Sequence, residues 1–188
     1  MQRNTTDFST GSVKRHIIAQ ALPLTLAQAV QLLYSIVDRI YIGHIPEVGN
    51  LALTGVGVCM PIIMIISAFA ALISSGGAPK ASILMGKGDY ATAEKILGGC
   101  FSLQLIISAV LTTILLIWNK DLLLMFGASK NTIDYATDYM NIYAIGTLFV
   151  QLTLGMGAFI TAQGFAKIGM MTVIIGAVSN IALDPLFI

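Results

Sequence analysis

The sequence predicts an all-α integral membrane protein built from five spanning helices, and two observations predict it. The 188 residues are 56% hydrophobic and only 10% charged, with a mean hydropathy of +0.86, whereas a soluble domain carries roughly 25% charged residues. The apolar residues also gather into runs of membrane length, about 20 residues each. On that rule the spans cover roughly 17–42, 51–75, 96–118, 137–161 and 169–188. A formal net charge of +1 gives no reason to expect nucleic acid as a partner.

Residues 1–16 are polar and lead into a first run too long for a signal-peptide core, so they are expected to stay as a cytoplasmic segment. Pro23 and Pro61 lie inside apolar runs, where each removes one helix hydrogen bond and favours a kink rather than a break. The connector 44–50 contains Pro46 and Gly49. The stretch 76–95 reads as a cytoplasmic extension that turns at Gly86-Lys87-Gly88-Asp89, and 119–136 is a mixed connector. Cys59 and Cys100 both sit in apolar runs and read as buried thiols, with no disulfide framework or metal site. Arg3, Lys14, Arg15, Lys80, Lys87, Lys95 and Lys167 fall on one side of the expected topology, and only Arg39, Lys120 and Lys130 on the other. Basic residues mark the cytoplasmic side, so the N-terminus is expected inside the cell. The chain stops at Pro185-Leu186-Phe187-Ile188 without a polar flank, and the expectation is a part of a longer protein.

Polar residues inside the spans point to function. Gln28, Gln31, Ser35 and Asp38 recur at helical spacing in the first span, forming a polar wall that ends in a carboxylate. A carboxylate at membrane depth costs about 2.5–3.5 kcal/mol on insertion scales and usually faces a bundle interior or a wet cavity. In the fifth span Asn180 and Asp184 are one turn apart, and the topology puts them at the depth of Asp38. Two carboxylates and an amide make an oxygen-rich site for a proton or a hard cation such as Na+. The carboxylates repel each other and burial favours neutrality, so the pair is expected to hold one or the other. The competing reading pairs Asp38 with Arg39 at the interface and lets Asp184-Pro185 end a helix. Gln31, Tyr34 and Gln151 are further candidates for lining a cavity, although Gln151 could instead bond neighbouring helices.

Other chemistries find little here. Gly86-x-Gly88 lacks the rest of a Walker loop and any preceding strand, so ATP is not expected. There is no Gly-x-Ser-x-Gly and no repeated Asp-x-x-Asp cluster, so an enzyme is not expected either, nor a cofactor.

Five stretches in order resemble the multidrug and toxic compound extrusion (MATE) family, in its bacterial multidrug efflux form. They are Leu22-Pro23, Val37-Asp38-Arg39 with Ile42-Gly43, Met85-Gly86-Lys87-Gly88-Asp89-Tyr90 with Ala93, Ala162-Gln163-Gly164, and Asn180 through Asp184-Pro185. The resemblance implies a twelve-helix fold in two lobes, of which 17–188 would be an incomplete N-lobe lacking the sixth helix and the C-lobe. It implies cation-coupled antiport, driven by Na+ or H+, of amphiphilic or cationic drugs across the plasma membrane. It assigns the coupling site to Asp38, Asn180 and Asp184. Family members often carry an asparagine seven residues before the closing glycine of the fourth helix, where this sequence has Gly157. The alternatives are a lipid-linked saccharide flippase of the same superfamily, or a truncated membrane fragment that does not transport. Basic residues kept at span ends favour cationic substrates over phosphate-bearing ones.

Overall fold

The computed structural model describes residues 12–187, with side chains described as far as Leu183. Five helices follow one another: α1 (Val13–Gly43), α2 (Gly49–Gly86), α3 (Tyr90–Met125), α4 (Ile133–Ala162) and α5 (Ala166–Phe187). All five are long and apolar enough to cross a membrane, and there is no strand among the described residues.

The helices run beyond the apolar runs. Nothing between Gly76 and Met85 stops α2, so it continues through the charged stretch and leaves a connector of Lys87–Asp89. The stop comes from Gly88, whose φ of +81° is open to glycine at little cost. Around it Gly88 N–H bonds Met85 O at 3.0 Å and Asp89 N–H bonds Leu84 O at 3.0 Å, the paired bonds of a Schellman cap. The same pair closes α4. Gly164, at φ +86°, donates to Thr161 O at 2.9 Å and Phe165 donates to Ile160 O at 3.2 Å. Carbonyls that would otherwise be stranded at a helix end are thus satisfied inside the segment, as a bilayer requires. The third helix runs past 118 to Met125, bending at Trp118 (φ −112°, ψ 17°).

The chain forms two compact units. One comprises Ile42–Ala158, with α2, α3 and most of α4. Its core joins Cys59, Ile62 and Ile66 of α2 with Leu115 and Leu123 of α3 and Ile133, Ala136, Met140 and Ala144 of α4. The spacing is three or four in α2 and α4 and eight, about two turns, in α3, so each buries one stripe. At Gly55 a Cβ would stand 3.1 Å from the Ala136 nitrogen, so the glycine lets α2 approach the α4 backbone. The other unit comprises α1 through Tyr41 with α5 and the last turn of α4, from Phe159. Here the covered stripe of α1 is Gln20, Pro23, Ala27, Val30, Tyr34 and Asp38, and that of α5 is Ala166, Met170, Val173, Ala177 and Asn180.

The α2–α3 turn spells Gly-x-Gly-Asp, a string that an intramembrane aspartyl protease would hold inside a span. Asp89 instead is exposed in a connector and caps α3, accepting a hydrogen bond from Thr92 N–H at 3.1 Å. The hydrogen bonds from Thr92 hold its carboxyl below the ordinary carboxylate value. A lowered value means the cap stabilises the helix at neutral pH, and this contribution is lost as pH falls through the lowered value. We expect the Thr92 amide to exchange with solvent faster on acidification, and Asp89→Asn, itself a good cap, to remove that pH dependence. Hydrogen exchange read by mass spectrometry or NMR measures both.

Candidate cation site

The polar wall expected along α1 divides. Gln28 and Gln31 are exposed, whereas Ser35 and Asp38 are half-buried. At 100° per residue the wall and the covered stripe are neighbouring rows that meet at Asp38. The carboxylate therefore belongs to the side of α1 that packs, and the two glutamines stand on its uncovered flank. Tyr34 is half-buried on the same stripe as Asp38.

On α5, Asn180 is half-buried, and its Oδ1 is buried with no hydrogen-bond partner. An unpaired buried carbonyl oxygen is costly in an apolar setting, and a cation or proton donor would satisfy it. Asp184 lies in α5 one turn beyond Asn180, with its side chain outside the described residues. The helices carrying all three residues belong to one compact unit. Gln20 ties that unit together at the other end of α1, donating from Nε2 to Gly164 O at 3.0 Å. The glycine that stops α4 thus also presents the carbonyl that α1 grips. The described residues hold no cluster of three or more His, Cys, Asp or Glu side chains able to bind a metal.

Gln151 is committed elsewhere, in the other unit. It is fully buried, donating from Nε2 to Ile66 O at 2.7 Å. Its own main-chain carbonyl accepts from Gln104 Nε2 at 3.0 Å, and its side-chain oxygen accepts from the same donor. One amide thereby joins α2, α3 and α4, the second of its two expected roles. Its partner Gln104 escaped the reading of the sequence. The signal was there, a lone amide in an apolar run, which in a membrane is more often helix-to-helix glue than a site.

A family model described as MatE matches residues 23–186. The chain belongs to the MatE family. The multidrug export protein MepA of Staphylococcus haemolyticus is 25% identical over 181 residues, covering 96% of this chain and 40% of that protein. The FAD transporter of Shewanella oneidensis is 24% identical over 176 residues, covering 94% of this chain and 38% of that one. Among solved structures, an outward-facing multidrug resistance MATE transporter of the MOP superfamily matches with a TM-score of 0.86 at 25% identity, over 94% of this chain and 39% of that chain. This MatE chain is a multi-pass membrane protein with the fold of the family's N-terminal lobe, and it spans about two-fifths of the length of these relatives.

Two glycines of this MatE chain, two residues apart and so on opposite sides of α4, should respond oppositely to substitution. A Cβ at Gly155 would lie 2.6 Å from Gln104 Oε1, while one at Gly157 meets nothing within 4 Å. Alanine gains up to about 1 kcal/mol over glycine in a helix, but displacing a buried, bonded amide costs about 1–3 kcal/mol. We expect Gly155→Ala to lower the thermal unfolding midpoint in detergent and Gly157→Ala to leave it unchanged or raise it.

Proposed function

We propose that this chain is the N-terminal part of a cation-coupled exporter of drugs and organic cations, with Asp38, Asn180 and Asp184 as the coupling site. The observation that carries this reading is the buried, unpaired Oδ1 of Asn180 in the same compact unit as the half-buried Asp38. Family membership supplies the context, since MepA is a multidrug export protein.

Helix length supports a shared depth for the trio. Counted from the Gln20–Gly164 tie, α1 rises about 27 Å to Asp38 at 1.5 Å per residue, and α5 rises about 24 Å to Asn180 and about 30 Å to Asp184. Asp38 then falls between the two residues of α5. Such a site holds one cation, Na+ or H+, between two carboxylates that repel when both are bare. Loading the ion removes that repulsion and lets α1 and α5 close on each other. Unloading it separates them, which is the differential interaction that alternating access needs.

In this reading residues 1–16 lie in the cytoplasm and 17–188 form the N-lobe in the plasma membrane. The sixth helix and C-lobe come from the remaining three-fifths of a full-length transporter. Gln28 and Gln31 on the uncovered flank of α1 then face the substrate cleft. The FAD transporter among the relatives favours a second reading, an anionic dinucleotide substrate. Against it, Arg39, Lys80, Lys95 and Lys120 all stand near helix ends rather than at mid-span.

In a full-length transporter carrying this N-lobe, Asp38→Asn and Asp184→Asn should each reduce drug resistance to the level of cells without the transporter, at unchanged membrane expression. Normal efflux by Asp38→Asn would return Asp38 to an interfacial role. Assays in inverted vesicles, with a sodium gradient or a proton gradient, identify the coupling ion. FAD movement without drug movement in the same vesicles would replace the substrate class.

A further inference from the structure

The bend in α3 falls at neither a proline nor a glycine. Sharp bends arise at proline, at glycine or serine pairs, at π-bulges, or where a side chain or water enters the hydrogen-bond ladder. No proline occurs in α3, and its Gly98-Gly99 pair lies several turns before Trp118. The residue next to the bend is Asn119, which is 5% exposed. Its Nδ2 donates to Thr137 O at 3.2 Å and to Asn141 Oδ1 at 2.8 Å. Its Oδ1 is buried with no partner, and so is the hydroxyl of Thr137 across from it.

The Thr137 hydroxyl is unusual for this protein. Thr25, Thr54, Thr113 and Thr147 each donate to the carbonyl four residues back, Thr172 donates to the one three back, and Thr112 donates across to Ala144 O. A helical threonine has such a carbonyl always within reach. Thr137 makes no such bond, and Asn119, whose Nδ2 bonds the Thr137 main-chain carbonyl, has an acceptor of its own unpaired.

We propose that the bend of α3 binds one buried water molecule between Asn119 Oδ1 and Thr137 Oγ1. The water donates one hydrogen to Asn119 Oδ1 and accepts the hydrogen of the Thr137 hydroxyl. Its second hydrogen meets a carbonyl of the interrupted ladder, giving the three bonds typical of buried water. Water suits the site better than a cation. The amide hydrogens of Asn119 already lie against Thr137 O and Asn141 Oδ1, two of the oxygens a cation would need.

The test turns on a sign. Valine is isosteric with threonine and equally β-branched. If the Thr137 hydroxyl has no partner, Thr137→Val removes an unsatisfied polar atom and stabilises the protein or leaves it unchanged. If the hydroxyl binds the water, Thr137→Val removes one of the three bonds that hold the water against Asn119 Oδ1 and destabilises the protein. We expect the thermal unfolding midpoint of the purified chain in lipid nanodiscs to fall by several degrees for Thr137→Val and to stay near wild type for Thr137→Ser. An unchanged or raised midpoint for Thr137→Val overturns the proposal. So does a midpoint that sodium chloride raises over choline chloride in wild type but not in Thr137→Val, which would mark a cation. Should Thr137→Val fail to fold, the wild-type crystal structure at water-resolving resolution decides. A density peak within hydrogen-bonding distance of both oxygens supports the water, and none there overturns it.

Discussion

Lipid is as apolar as leucine, so apolar helices gain little by leaving it for one another, and what holds them together is close packing and hydrogen bonds between helices. In the α2–α4 unit that constraint is met by a few buried polar side chains. Gln151 reaches Ile66 on α2 and takes Gln104 from α3, Thr112 reaches Ala144, and Asn119 reaches Thr137 and Asn141. These contacts fall at successive levels along α3 and α4. Each also fixes register, because a shift of one residue would leave an amide unpaired at membrane depth. Leu115, Leu123, Met140 and Ala144 then pack where the amides have set the helices.

The fold was legible because composition and run length alone identify a five-span protein, and because Gly88 and Gly164 carry their stop signals in the chain. Helix ends were less legible. Hydropathy locates where a helix is apolar, not where its hydrogen bonding ends, so α2 and α3 extend through charged residues that lie within helices. The site was legible in part. Asp38 could be singled out because a carboxylate in an apolar run is costly, and Asn180 because it lies one turn from another acid. The division of the polar wall was not legible, since rows 40° to 80° apart on a helix differ in cover only once neighbours are in place. Gln104 and Asn119 were missed for the converse reason, because a polar residue acting as glue has the same appearance in sequence as one lining a cavity.

The buried amides differ in how completely they are bonded. Gln151 has its donor and acceptor groups engaged, whereas Asn180 keeps a buried oxygen unpaired. A fully bonded amide rigidifies its surroundings, and an unpaired one is poised to take a ligand. In this MatE chain the fully bonded Gln151 stands among α2, α3 and α4, whereas Asn180 on α5, Gln104 and Asn119 on α3 and Gln20 on α1 each keep a buried oxygen unpaired.

The acceptors of these bonds carry a consequence for how the sequence can drift. Gln20 bonds the carbonyl of Gly164, Gln151 that of Ile66, Thr112 that of Ala144 and Asn119 that of Thr137. Every residue has a main-chain carbonyl, so each of these bonds depends on the donor's side chain and on the acceptor's backbone position, not on the acceptor's side chain.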